Sequence, residues 1–435
     1  MKLVTLSKEE FKKFADKHEQ ITFHQTTQWA DLKLKTGWTP HYIGLEENKN
    51  IIGGALILAK KLPIIKKKIL YSPRGFLIDY KNNKILKEFT KEIIKYAKKE
   101  NAIFIKIDPY VEYIEHDNNG DIVETGINNI DIIENLQKLG YKHTGFTKMN
   151  ENLQPRWMFV TNVKDKTIDE IKKSFDSKTK RILKKNNKMM INVRELKEEE
   201  LPIFKEIMQS TSNRREFIDR SLSYYKTMWN IFHNDGHLKI MVAELPVDNC
   251  IKNMEKELKS IKQEIKEREE RKQTENLNEE KYKLKQKEAK EKEEKLIKQI
   301  NEMVELKEKH GENIILGGML FLLYGKEIVY LMGGSYKEFL HFQSAYSIHE
   351  YMIEYTLNNN YEKYNFYGIS GIFDEKNPLY GIYFSKKGFG GNVIELIGEF
   401  NLIISNFWYT TYNVAFSIYN KIRTLKQKIT KKDTF

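Results

Sequence analysis

From Ile251 to His310 the chain runs for 60 residues with neither Gly nor Pro, and it carries 18 Lys and Arg against 16 Asp and Glu. Ile251, Met254, Leu258, Ile261 and Ile265 are spaced 3, 4, 3, 4, which is a heptad seam. A polar patch, Gln273 to Asn278, interrupts the pattern. A second seam runs through Tyr282, Ala289, Leu296, Ile300 and Met303. Two seams about one break predict an antiparallel coiled-coil hairpin. With ~25–30 residues in each helix and ~1.5 Å of rise per residue, the arm is on the order of 40 Å long. The competing reading is a charged, partly disordered insertion. In both cases strand-like sequence resumes at Asn313, so the segment interrupts a globular body.

That body carries most of the charge. The arm has a net of +2, and the whole chain of 435 residues has +13. The remaining excess favours anionic partners: nucleic acid, phosphorylated substrates or an acidic membrane surface. Cys250 is the single cysteine, which excludes an intramolecular disulfide and a Cys-rich zinc site. The first residues are charged within eight positions and do not read as an apolar leader, so a cytosolic protein is expected.

The body also reads as duplicated. Ile51 to Leu58 resembles Ile314 to Phe321, each an apolar strand containing a Gly pair. A second echo links Lys142–Phe146 with Ser385–Phe389. Helical patterns (Ile85 to Lys98, Ser344 to Leu357) and strands (Ala102 to Ile107, Lys363 to Tyr367) lie between the echoes. The expected fold class is α/β (α+β) with two similar subdomains and a cleft between them.

Familiar catalytic signatures are missing. The sequence has no GxxxxGK[ST], HExxH or GxSxG motif, and no His pair with metal-ligand spacing backed by carboxylates. It also lacks the [RQ]xxGx[GA] loop that binds pyrophosphate in acetyl-CoA-dependent transferases. Transfer of an already activated acyl group, needing neither metal nor cofactor, fits this set; positioning and charge stabilisation then supply the catalysis.

Several motifs occur in a telling order. They are Phe23–Lys33 before Gly37-Trp38, then Ile105–Tyr110, then Arg214–Phe217 with Arg220 and Tyr224-Tyr225. Tyr330–Ser335, Tyr364–Gly371, Gly381–Gly391 and Ile397–Phe400 follow. This ordered set resembles the FemABX family of aminoacyl-tRNA-dependent transferases, which build peptidoglycan cross-bridges. The resemblance covers about Phe23 to Phe400. It implies two acetyltransferase-like (GNAT-like) subdomains with an inserted coiled-coil arm: 1–155 as the first, 156–250 with 311–400 as the second, 251–310 as the arm, and 401–435 as a C-terminal helix with a basic tail. It implies transfer of an aminoacyl group from tRNA to an amine on the stem peptide of lipid II or a UDP-linked muropeptide precursor, without a cofactor.

By the same resemblance, Lys33 and Arg214 match residues that bind the precursor's phosphates. The usual Arg-acid-Gly-Phe reads Arg214-Arg215-Glu216-Phe217 here, so Arg215 competes with Arg214. Lys386 matches a lysine at the tRNA acceptor end, where it binds phosphate or stabilises the oxyanion. Ser385 replaces the aromatic residue often found before it; Phe384 stands next to that position, but in a strand it would point the opposite way from Ser385.

Other residues carry two readings each. Asp108, at a strand end before Pro109, is either a general base or the cap of the following turn. Tyr330 and Tyr224 line the cleft or pack internally. Arg181 and Lys184 belong to a basic stretch, Ser174 to Lys188, that suits a tRNA backbone or is a solvated face. Phe400 to Asn420 is uncharged over 21 residues but rich in Asn, Ser and Thr. It reads as a helix packed on the body, whose basic continuation touches anionic lipid, rather than as a membrane span. Two alternatives remain at this stage: an acyl-CoA-dependent N-acyltransferase on the same fold, and a non-catalytic coiled-coil protein that binds RNA or membrane.

Overall fold

The structure is a computed structural model that describes every residue except 64, 149–152, 216, 275–277 and 433–435, and omits the side chains of 274, 420, 421 and 423–432. The first part of the chain forms β1 (Lys2–Thr5), α1 (Lys8–Ala15), α2 (Thr27–Lys35), β2 (Thr39–Glu47), β3 (Asn50–Lys61), β4 (Lys68–Ser72), α3 (Asn83–Lys99), β5 (Ala102–Ile107), β6 (Glu112–Glu115), α4 (Ile130–Lys138) and β7 (Tyr141–His143). Next come β8 (Trp157–Asn162), α5 (Ile168–Ser174), α6 (Ser177–Lys188), β9 (Asn192–Glu195), α7 (Leu201–Arg215), α8 (Leu222–Met228) and β10 (Leu238–Pro246). The arm is α9 (Val247–Thr274) and α10 (Glu279–His310). The chain closes with β11 (Asn313–Tyr324), β12 (Glu327–Ser335), α11 (Ala345–Asn358), β13 (Lys363–Gly368), α12 (Tyr380–Lys387), β14 (Asn392–Leu396), β15 (Phe400–Ile403) and α13 (Asn406–Lys432).

The described strands make two sheets with matching topology. The first has the order β1-β2-β3-β4-β5-β15-β7, the second β9-β10-β11-β12-β13-β8-β14-β6. In each, an antiparallel meander ends in a parallel pair, β4 with β5 and β12 with β13. A helix makes each crossover, α3 in the first half and α11 in the second. Local sequence explains α3: Asn82 caps it by accepting from the backbone N–H groups of Lys84 and Ile85, and Leu86, Phe89, Ile93 and Ala97 bury one face. The first echo is therefore β3 and β11, equivalent strands of two sheets. The second echo is not an equivalence. Lys142-His143 lies in β7, whereas Ser385–Lys387 ends helix α12; the two segments share only a Gly-Phe pair, in irregular chain in one and in a turn in the other.

The boundary expected at residue 155 is crossed twice. β6 lies in the second sheet beside β14, and β15 lies in the first between β5 and β7. A strand from each half thus completes the neighbouring sheet. A shared core joins them further: Leu56 and Leu58 from β3 cluster with Phe204 and Met208 from α7 and with Leu320 and Leu322 from β11.

The arm forms as the seams predict. Met254, Ile261 and Ile265 are buried along α9, and Ala289, Leu296 and Met303 along α10. The expected turn at Gln273 to Asn278 falls partly at 275–277, outside the described residues. The uncharged run from Phe400 is split between strand β15 and helix α13, so it is not one continuous helix. Among the described residues, no helix is long and apolar enough to cross a membrane.

Candidate active site

The loop before α2 is anchored by one side chain. Gln25 is fully buried; it donates to the carbonyls of Leu56 (3.3 Å) and Pro73 (2.7 Å) and accepts from the Leu56 N–H (2.8 Å). Thr26 then caps α2, its hydroxyl accepting from the Trp29 N–H at 3.1 Å. These contacts fix where Trp29 and, one turn later, Lys33 stand. The Lys33 ammonium lies 4.3 Å from the Trp29 ring centre. Burial, and secondarily the charge of Arg220, lower the Lys33 pKa to about 8.

Lys33 lines a cavity of about 400 Å3 together with His24, Trp38, Tyr71, Arg220 and Tyr224. A second cavity, of about 480 Å3, is lined by Arg156, Phe217, Tyr330, Phe366 and Lys386, among others. Leu153, Gln154, Arg220, Leu331, Met332 and Tyr367 line both, so the two form one groove between the halves of the molecule.

Lys386 sits in the last turn of α12 and is only 8% exposed. Its ammonium donates to the carbonyls of Phe366 (2.7 Å) and Gly368 (2.6 Å), at the end of β13 where the parallel pair splays. An ammonium has three N–H donors, so one remains for an oxygen in the groove. Burial lowers the Lys386 pKa to about 7. The Tyr330 ring centre is 5.9 Å from the Lys386 nitrogen, and burial pushes the Tyr330 hydroxyl up to about 12.

The structure thus brings Lys33, Tyr224, Tyr330 and Lys386 to one groove. Other sequence-predicted residues stand elsewhere. Arg214, at the end of α7, is not among the lining residues; it donates to the Ser335 carbonyl at 3.3 Å. Arg220, six residues on, lines both cavities and lies 5.3 Å from the Tyr224 ring centre. Glu216, between Arg215 and Phe217, lies outside the described residues.

Asp108 is 3% exposed and also absent from the lining. One carboxylate oxygen accepts from the Tyr71 hydroxyl (3.1 Å), the other from the Arg74 N–H (2.8 Å). Burial raises its pKa to about 6 against the lowering effect of Arg74. Arg74 in turn donates to the Pro155 carbonyl at 2.7 Å. Asp108 therefore stands behind the groove wall and orders it, with Tyr71 between it and the cavity. Its hydrogen bonds reach back 34 residues to the Arg74 N–H, and to Tyr71, rather than to the turn that follows Pro109.

Arg181 and Lys184 are exposed on α6, whose other face buries Ile182 and Leu183. This helix starts only at Ser177, after α5 ends, so the basic stretch is not one helix. It abuts α12: the Lys178 ammonium lies 4.8 Å from the Phe384 ring centre, and the Asp176 N–H donates to the Gly388 carbonyl at 2.9 Å. Residues 380–387 are helical rather than extended, and Phe384 stacks on Tyr380, at 5.6 Å between ring centres.

His24, Gln154 and Arg156 carry no assignment from the sequence. Burial, then Arg74 and Lys33, hold the His24 imidazole well below its usual range, hence neutral; its Nδ1 has no hydrogen-bond partner. Arg156 is held by the Glu395 carboxylate and the Leu396 carbonyl. Nothing local marks these residues; only the packing of the two halves brings them to the groove. Asp219 is the one carboxylate lining either cavity among the described residues, and it is held by Lys205 and by the Tyr225 hydroxyl (2.6 Å). A larger cavity, of about 620 Å3, is lined by Tyr110, Glu112, Thr161 and Lys363, among others, and holds none of the catalytic or binding residues expected from the sequence.

With this geometry in hand, similarity to known proteins is informative. The sequence pattern of the FemAB family matches residues 6–416. Two curated relatives, the aminoacyltransferase FemA of Staphylococcus aureus strains bovine RF122 / ET3-1 and N315, are each 33% identical over 430 residues, covering 97% of this chain and 100% of theirs. The crystal structure of FemX superposes with a TM-score of 0.77 at 28% identity, covering 94% of this chain and 99% of that one.

Proposed function

Because the chain belongs to the FemAB family and is an aminoacyltransferase, we propose that it moves an aminoacyl group from charged tRNA to an amine on the stem peptide of a peptidoglycan precursor, lipid II or its UDP-linked counterpart. We place the reaction on the cytoplasmic side of the membrane. One observation carries the reading: a single groove between two halves has Lys33 at one end and Lys386 at the other, and six residues line both compartments.

Both substrates are polyanions with a reactive end. The precursor's phosphates pair with Lys33, and Arg220 stands beside it to share that charge. The acceptor end of tRNA enters the compartment of Tyr330 and Lys386, with its backbone along the cations of α6, Arg181 and Lys184 among them. The neutral amine attacks the ester carbonyl and forms the C–N bond. The developing oxyanion takes the third N–H of the Lys386 ammonium. As the C–O bond to the ribose breaks, the ribose oxygen leaves with the proton given up by the amine. That transfer is substrate-assisted, since the lining carboxylate Asp219 is occupied and Asp108 is behind the wall.

Incubation with tRNA charged with radiolabelled amino acid and with the lipid-linked precursor tests this. Label should reach the precursor and should be lost when the charged tRNA is first digested with RNase. Label that survives digestion, or that transfers only from acyl-CoA, overturns the proposal.

A further inference from the structure

Among its described side chains, helix α13 is held to the body by its first turns. Tyr409 and Tyr412 pack on Phe104 of β5, with ring centres 5.3 and 5.5 Å apart, and the Tyr409 hydroxyl accepts from Asn401 at 3.2 Å. Phe416 stacks on Tyr412 at 5.7 Å. From 413 to 419 every residue is exposed, so the helix leaves the body after Tyr412.

The side turned away from Phe104 carries a row of exposed apolar side chains, with Thr411 among them. At roughly 100° per residue, Phe407, Val414, Ile418 and Ile422 fall within an arc of about 80°. That arc lies on the far side of the helix from Tyr409, Tyr412 and Phe416. These four side chains are exposed by 70, 56, 54 and 49%. Scattered apolar residues on a surface are ordinary, but a stripe on a projecting helix is not. The charge on this helix is of one sign. From Asn406 to Lys432 the sequence has Lys421, Arg423, Lys426, Lys428, Lys431 and Lys432, and no Asp or Glu.

We propose that α13 is a docking helix for an anionic lipid bilayer, lying in the interface with the Phe407, Val414, Ile418 and Ile422 stripe in the acyl boundary and its cationic end among the headgroups. An apolar stripe beside a block of cations is the chemistry of an in-plane amphipathic helix. A nucleic-acid backbone has no use for four aliphatic and aromatic side chains. A second copy of the chain, joined through the same stripe, would bring two cationic ends together. The proposal rests on the reading above only for its purpose, delivering the groove to a lipid-linked acceptor.

Co-sedimentation of the full chain with vesicles tests it. Pure phosphatidylcholine vesicles are compared with vesicles that also contain phosphatidylglycerol, each at about 0.05 M and about 0.5 M salt. Binding is expected to the anionic vesicles and to weaken with salt. The double variant V414D/I418D should bind them about tenfold less while keeping its melting temperature, because both positions are exposed. It should also keep its rate on a water-soluble, UDP-linked acceptor. No binding to anionic vesicles at low salt, or equal binding by the variant, overturns the proposal. So does a loss of tRNA affinity or of self-association by the variant in vesicle-free solution. Failure of the wild type on every acceptor would instead count against the transferase reading and leave the vesicle result standing.

Discussion

At the scale of single residues, the groove depends on charges held where water is scarce. Lys386 is charged below about pH 7 and neutral above it, because burial disfavours the ammonium. Its grip on an anion should therefore be full below that pH and fade as pH rises through it. Affinity for a charged tRNA acceptor stem, followed by fluorescence anisotropy between about pH 6 and 8.5, should fall across that window in the wild type. Lys386→Met should flatten the profile and lower the transfer rate by about 10²–10³. A second prediction separates the two roles of Asp108. Asp108→Asn keeps the size of the side chain and a carbonyl oxygen, and should reduce transfer by less than about tenfold. Both variants remove the charge facing Arg74, but Asp108→Ala also takes away the acceptors of the Tyr71 hydroxyl and the Arg74 N–H, and should destabilise the fold by about 3–5 kcal/mol in chemical denaturation. A loss of about 10³ or more in the Asn variant, with unchanged stability, would instead give Asp108 a direct part in proton transfer.

At the scale of elements, close backbone approach sets the groove's walls. Gly334 in β12 faces α7 so tightly that a Cβ there would meet the Thr211 hydroxyl oxygen at 1.9 Å. Gly334→Ala should push α7 away from β12 and cost about 1–3 kcal/mol. Because α7 leads into the loop bearing Arg220, acceptor KM should rise with it; a variant of unchanged stability and KM would refute this packing role. The elements also show what the sequence made legible. The arm was readable because a coiled coil is specified by one local period, visible without knowledge of its surroundings. The crossover helices and strands were readable for the same reason: α3 and β5 lie within one residue or two of their expected ends. Helix α12 was harder, since its Gly-flanked, aromatic-rich sequence carries little amphipathic contrast and reads as a strand at Phe384 to Lys386.

At the scale of the molecule, what the sequence left hidden is non-local. That β6 and β15 each complete the neighbouring sheet depends on pairings between segments far apart in the chain, and no period reports them. The same holds for the site. Lys33 and Lys386 were found because each stands in a recognisable stretch, and the fold brings both to one groove. Arg214 was named from a motif whose glycine is missing here, and Arg220 instead faces the groove. His24, Gln154 and Arg156 reach it only through the docking of one half on the other.

The central claim is that the two ends of this groove hold different substrates. Steady-state transfer, with charged tRNA and the precursor varied independently, measures it most directly in Lys33→Met and Lys386→Met. The account predicts that Lys33→Met raises the precursor KM by at least about tenfold and spares the tRNA KM, and that Lys386→Met lowers kcat and weakens the tRNA side alone. Both variants weakening the same substrate, or neither changing any constant while the fold stays intact, would contradict it.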